Sequence, residues 1–235
     1  MRNKILATSG TLALLAALAL AAPAQAGNGR QHDAETAKLS VLHGVPGLTV
    51  DVWVDGTLTL DDFKPGTLAG PLDVADGDHE VAITAADAAS ADDAVIGPVT
   101  VGLEAGGDYT AVAHLDAEGS PTATLFTNDT SPSPEGKGKL TVRHVAAAPA
   151  VDVLAGGTAV VEGLTNPDQE TLTLDAGTVS ASVAAAGTTA PLIGPADIQI
   201  TGGKNTIVYA WGSLAKNNLG VAVQVVDSST CGQAD

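Results

Sequence analysis

The chain has 235 residues, with 27 acidic against 10 basic side chains and a formal net charge of −17, a balance that excludes the basic footprint needed for nucleic acid or anionic lipid. Aromatics make up 3% of it, so Val, Leu, Ile and Ala must build any core, while 27 Gly and 12 Pro point to many turns between short strands. Cys231 is the single cysteine, which excludes an internal disulfide.

The first 26 residues read as a secretory signal peptide rather than a short membrane span. Arg2 and Lys4 form a positive head, residues 5–22 are an apolar run, and Ala24-Gln25-Ala26 supplies the small-x-small cleavage pattern. Cleavage would remove two cations, leaving eight against 27 anions, a net charge of −19. The expectation is a secreted, extracellular or cell-surface-associated protein with no membrane insertion after cleavage. Residues 27–37 are polar and aperiodic and are expected to be a disordered leader.

From residue 38 the pattern becomes that of strands. Leu39-Ser-Val-Leu-His43 is a strand broken by Val45-Pro46-Gly47, and Val50, Val52 and Val54 alternate with Asp51, Trp53 and Asp55 in a half-buried one. Asp55-Gly56 before Thr57-Leu-Thr-Leu60 is a hairpin signal, because both central positions of the tight turn favour positive φ. Further strands are predicted at 70–74, 79–85, 98–103, 109–115 and 122–127, punctuated by Asp76-Gly77, Ile96-Gly97-Pro98 and Gly106-Gly107. Ala85 to Ala94 is read as a loop. Residues 129–138 are rich in Pro, Ser and Gly and serve as a linker.

The pattern then restarts. Leu140-Thr-Val-Arg-His144 repeats the first strand and Val151-Asp152-Val153 the second, at an offset of 101 residues, and in both copies the His stands eight positions before the Asp. Gly156-Gly157 replaces Asp55-Gly56, and Ile193-Gly194-Pro195 matches Ile96-Gly97-Pro98. Gly202-Gly203 aligned with Gly106-Gly107 sets Tyr209 and Trp211 opposite Ala113 and Leu115. Strands are predicted at 140–144, 150–154, 170–174, 178–185, 196–200, 205–211 and 220–226. The reading is an all-β chain of two tandem immunoglobulin-like antiparallel β-sandwich domains, 38–128 and 139–228, followed by a tail at 229–235 that carries Cys231 as an idle thiol or an intermolecular link.

The strand-His, Val-Asp-Val and turn-Gly pattern resembles the bacterial domain-of-unknown-function 4397 family, whose members are exported and often tandem. The resemblance runs through His43, Val50, Asp51, Val52 and Gly56, and again through His144, Pro149, Val151, Asp152, Val153 and Gly157. The family's Ser-Pro after the His is absent, and its aromatic after Val-Asp-Val is Trp53 in one copy and Leu154 in the other. The resemblance implies a fold and a compartment, and carries neither activity nor site.

A His with an Asp can act as a general base with its orienting partner, which makes His43/Asp51 and His144/Asp152 candidates for a hydrolase. No Gly-x-Ser-x-Gly elbow accompanies them, and the expectation is that each His closes the edge of a core by bonding a loop carbonyl or carboxylate. His79-Glu80 lacks the second His of a zinc helix motif. The acidic loops at Asp61-Asp62, at Asp73, Asp76 and Asp78, and at Asp87, Asp92 and Asp93 suit calcium by ligand type, with solvated surface charge as the expected reading. Tyr209 and Trp211 share a strand face and are expected to fill a core, whereas Trp53 shares parity with Asp51 and Asp55 and is expected to be partly exposed. No catalytic residue, cofactor or metal is assigned. The expected role is that of a non-catalytic surface or extracellular module whose partner is a protein or surface polymer, with a calcium-stabilised adhesion or ligand-binding module as the alternative.

Overall fold

The computed structural model describes residues 35–228. The predicted signal peptide, most of the leader, and the tail with Cys231 lie outside the described residues. The described residues belong to one compact unit. Sixteen strands follow one another: β1 (Thr36–His43), β2 (Val50–Val54), β3 (Thr57–Phe63), β4 (Leu68–Ala75), β5 (Gly77–Ala85), β6 (Ala94–Leu103), β7 (Asp108–Leu115), β8 (Pro121–Thr127), β9 (Lys137–Ala147), β10 (Val151–Ala155), β11 (Thr158–Leu164), β12 (Gln169–Asp175), β13 (Gly177–Ala185), β14 (Pro191–Ile200), β15 (Lys204–Ser213) and β16 (Gly220–Asp227). Among the described residues no helix is long and apolar enough to cross a membrane.

Local chemistry sets the turns. Asp55 and Gly56 take φ of 50° and 72°, and Gly156 and Gly157 take 56° and 84°, the paired positive values that a two-residue hairpin matched to strand twist requires. The expected loop between residues 85 and 94 contains a single 3₁₀ turn, Ala91–Asp93, capped by the Ser90 hydroxyl. Gly97-Pro98 and Gly194-Pro195 do not end their strands. Each sits at a register shift inside an edge strand, β6 and β14, where a residue without an N–H costs no ladder bond. Strand β11 had no counterpart among the predicted elements, because its alternation breaks at Gly163, where the pairing with β10 is bulged.

Each copy folds as an immunoglobulin-like sandwich of two four-stranded sheets. The first pairs an outer sheet, β3-β2-β5-β6, with an inner sheet, β4-β1-β7-β8; the second pairs β11-β10-β13-β14 with β12-β9-β15-β16. Pairing is antiparallel except for β1–β7 and β9–β15, which run parallel at the centre of each inner sheet. Inside the first sandwich Val41, Val50, Val52, Phe63, Ile83 and Val101 share one core; inside the second Leu140, Val142, Val153, Leu164, Ile198 and Val208 share another.

A third core lies between the sandwiches. Leu42, Val112 and Phe126 of the first inner sheet pack against Val145, Ile207, Tyr209, Ala222 and Val226 of the second. The chain is therefore four sheets deep, and both inner sheets are covered on both faces. That is why β1 and β9 are buried at odd and even positions alike, where a half-exposed strand would alternate. The parallel register places Tyr209 beside Arg143 and Val112 beside Leu42, so Tyr209 is the counterpart of Val112, not of Ala113, and Trp211 is the counterpart of His114, not of Leu115. A shift of one residue moves a strand's side chains to the opposite face. Tyr209 accordingly fills the core between the sandwiches, not the one inside its own.

A polar line crosses this apolar layer. Arg143 is fully buried and donates to Gln169 Oε1 (2.8 Å), to the Tyr209 hydroxyl (2.7 Å) and to the Thr127 carbonyl (3.2 Å), with its guanidinium 4.4 Å from the centre of the Phe126 ring. Tyr209 donates to Gln224 Oε1, which also accepts from Thr110 (3.0 Å), while Gln224 Nε2 donates to Ser40 (3.1 Å). Asn166 Nδ2 donates to the carbonyls of Leu115 (2.8 Å) and Ala146 (2.6 Å), one in each sandwich. The contacts run β8 to β9 and β16 to β1 and β7, so the two inner sheets meet about an approximate two-fold, as the subunits of an isologous dimer do.

Candidate functional site

The repeated His and Asp lie at corresponding places in the two sandwiches, and both are buried. His43 Nε2 donates to the Leu48 carbonyl (2.7 Å) and its ring stacks on Phe63, with centroids 5.9 Å apart. His144 Nε2 donates to the Pro149 carbonyl (3.1 Å), again five residues on. Each His thus closes the loop between the first two strands of its copy. Because the carbonyl can only accept, Nε2 carries the proton in the neutral ring and Nδ1 is the bare nitrogen. His144 Nδ1 accepts from the Ala146 amide (3.4 Å), whereas His43 Nδ1 is buried without a partner. Burial pushes both rings below the usual imidazole range, against the opposing effect of their carbonyl bonds. His114 is lowered for the same reason.

The aspartates are held by backbone instead. Asp51 Oδ1 accepts from the Asp62 amide (2.9 Å), and Asp152 Oδ1 accepts from the Gly163 amide (2.8 Å) while Oδ2 accepts from Gly187 (2.7 Å). Asp62 and Gly163 are the positive-φ residues of the bulges in β3 and β11, so each aspartate caps the bulge on the neighbouring strand. Neither His bonds its own Asp: the imidazoles and the carboxylates are committed to different loops. A base–orienter pair is not assembled in this geometry.

Of the acidic loops, one converges. Carboxylate oxygens of Asp51, Asp61 and Asp62 lie within 4.8 Å of one another, and Asp61 is raised above the usual carboxylate range by burial, then by the charges of Asp51, Asp62 and Asp87. Among the described residues Asp73, Asp76 and Asp78 form no such group, nor do Asp92 and Asp93. The second copy has Glu162 and Gly163 where the first has Asp61 and Asp62, so this group is not duplicated. His79 stands apart. Its Nδ1 bonds Asp55 (2.7 Å) and its Nε2 the Ala75 carbonyl (2.7 Å), which together raise it above the usual imidazole range.

The aromatic candidates are structural in their contacts. Tyr209 is fully buried, and the Trp211 ring crosses to the first sandwich, where it lies against Gly66 so closely that a β-carbon there would stand 2.7 Å from it. Trp53 is half-buried, its indole donating to Thr84 (3.0 Å).

One surface feature had no signal among the candidate motifs. The edge strand β16 buries Ala222, Gln224 and Val226 between the sandwiches and turns Val221, Val223 and Val225 to the other face of its sheet, where Val221 borders the space inside the second sandwich and the three stay 39%, 48% and 54% exposed. Its pairing with β15 is unbroken, it has no proline, and its single charge is at its last residue, Asp227, which is bonded to Lys204. The other edges are guarded by a proline or a charge: Pro71 in β4, Pro121 in β8, Asp61 in β3, Pro98 in β6, Glu170 in β12, Glu162 in β11 and Pro195 in β14.

Residues 37–154 match the family described as "Domain of unknown function (DUF4397)", a span that takes in the first sandwich, the connection and the second copy as far as β10. No match to a curated protein is found. With half of its length under that match and the His and Val-Asp-Val positions in matching places in both sandwiches, the chain belongs to the DUF4397 family.

Proposed function

We propose that the chain is an exported, non-catalytic interaction module that works at or outside the cell surface, and that an extended segment of an extracellular protein joins it along β16. The observation that carries this reading is the free edge of β16, which has no proline and is charged only at its last residue. A free edge offers backbone donors and acceptors to a further strand, and the part-exposed valines at alternate positions offer side-chain contact on one face. On a chain of net charge −17, residues 220–226 form an uncharged strip where an apolar segment meets no like-charge penalty. The commitment of each His to a loop carbonyl and each Asp to a bulge amide supports scaffolding rather than turnover.

Fractionation of cells producing the tagged chain tests the proposal. The processed wild type is expected outside the cytoplasm and retained at the surface, and V223K/V225K, altered only at exposed positions, is expected in the medium. An unprocessed cytoplasmic chain, or a variant retained as strongly as the wild type, overturns it.

The convergence of Asp51, Asp61 and Asp62 favours a second reading, a calcium-stabilised module. Under it, millimolar calcium raises the melting temperature, chelator reverses the rise, and D61N/D62N abolishes it. An unchanged melting temperature in millimolar calcium rejects it.

A further inference from the structure

The first sandwich encloses a cavity of about 150 Å³ between its sheets, bounded by Val41, Val52, Ile83, Val101, Ala111 and Ala123. It opens between β6 and β8, where Val99 is 39% exposed and Thr100 and Gly102 form the rim. The corresponding space in the second sandwich is about 40 Å³.

The registers show where the difference arises. Ala111 pairs with Val41, and Val208 pairs with Val142, so Val208 is the counterpart of Ala111. Ala123 pairs with Ala113, and Val221 pairs with Ala210, so Val221 is the counterpart of Ala123. The second copy places two isopropyl groups on its inner sheet where the first places two methyls. On the outer sheet the exchange is reversed, with Val81 and Val99 in place of Ala181 and Ala196. The first copy thus keeps its bulk on the outer sheet and leaves open space against the inner one.

We propose that this cavity is a binding site for a small, uncharged, apolar molecule about the size of benzene, entering between β6 and β8. The lining is aliphatic apart from Thr100 at the rim and Thr124, whose hydroxyl is bonded to His114 (2.9 Å). A charged or strongly polar ligand would lose its hydration there without replacement. An apolar one fills space that has no partner atoms, recovering the dispersion contacts that the facing valines now lack.

Methyl-resolved NMR of the whole chain titrated with benzene tests the site. The expected result is a saturable shift of the methyls of Val41, Val52, Ile83 and Val101, with those of Val142, Val153, Val183 and Ile198 unmoved. In A111V/A123V, which carries the second copy's residues, the saturable shift is lost and the methyl spectrum of the second sandwich is unchanged. Should that variant fail to fold, V208A/V221A provides the reciprocal test, since it opens the second sandwich and should bring the shift there. Absence of saturation in the wild type overturns the site, as does a shift of equal size in both sandwiches or one that survives in A111V/A123V.

Discussion

Arg143 is the sharpest test of how the two sandwiches hold together, because its guanidinium is buried between them without a carboxylate bonded to it. Its three hydrogen bonds come from a charged donor and contribute about 1.5–3 kcal/mol each. The Phe126 ring at 4.4 Å adds a cation–π contact of up to about 2 kcal/mol. Against these stands the cost of removing the guanidinium from water, several kcal/mol, which also lowers its pKa. Truncation by R143A removes the bonds and the packing together and leaves a void beside Phe126. The net loss expected is about 3 kcal/mol, or a melting temperature lower by roughly 6–12 °C at about 2–4 °C per kcal/mol for a chain of this size.

R143L is expected to behave differently. Leucine is what the first copy has at the matching position, Leu42, and it keeps the apolar bulk while abolishing the buried charge. Tyr209 retains Gln224 as its partner, and Gln169 and Thr127 are exposed enough to turn to water. The loss should therefore stay within about 1 kcal/mol. Thermal unfolding followed by circular dichroism reads both variants. If R143L falls as far as R143A, the charge itself holds the interface and the reasoning fails; if R143A melts with the wild type, the polar line contributes nothing.

The pH dependence follows from the buried imidazoles. His43, His114 and His144 are all lowered from 6.5 by burial, so the stability that each contributes is complete above pH 6.5 and is lost as pH falls toward its folded value; the raised His79 acts in the opposite sense but is one group near the surface. The melting temperature should therefore fall between pH 6.5 and 5, and a flat profile there refutes the assignment of neutral rings. The two bulge caps should differ in weight: D152A leaves two backbone amides without their acceptor and should cost about 2 kcal/mol, against about 1 kcal/mol for D51A, which leaves one. Equal losses in urea unfolding would show that the second amide, from Gly187, contributes nothing.

The parts of this fold that were legible in the sequence were those written in local chemistry. Asp55-Gly56 and Gly156-Gly157 name their turns because positive φ is a property of the residues themselves, and the Val-Asp-Val alternation names a strand with one face in a core. Strand β11 is hidden because Gly163 interrupts its period of two, although the Asp152 carboxylate that holds the bulge lies on a strand whose own alternation is plain. The offset of β15 from β7 differs by one residue from the glycine alignment, since matching glycine pairs before the strands do not fix register; the parallel ladder to the first strand of each copy does. His43 and His144 end strands that lead into Pro-containing loops, and they bond those loops' carbonyls.

What could not be read was the face between the sandwiches. A strand covered on both sides loses its alternation, so Leu39-Ser-Val-Leu-His and Leu140-Thr-Val-Arg-His look like weak strands when they are central ones. A local sign was Arg143, a cation between Val142 and His144 in the middle of a covered strand, and its meaning depends on Tyr209, 66 residues away, and on Phe126 from the other copy. A two-fold interface formed by identical repeats would make every contact twice. Here the repeats have diverged so that Arg143, Tyr209 and Gln224 stand where the first copy has Leu42, Val112 and Phe126. Each polar member of one copy therefore meets an apolar or hydroxylic surface of the other. That asymmetry gives the tandem a reason to fold on itself: two second copies facing each other would bury two guanidiniums and lose Phe126, whereas the covalent pair buries one and keeps it.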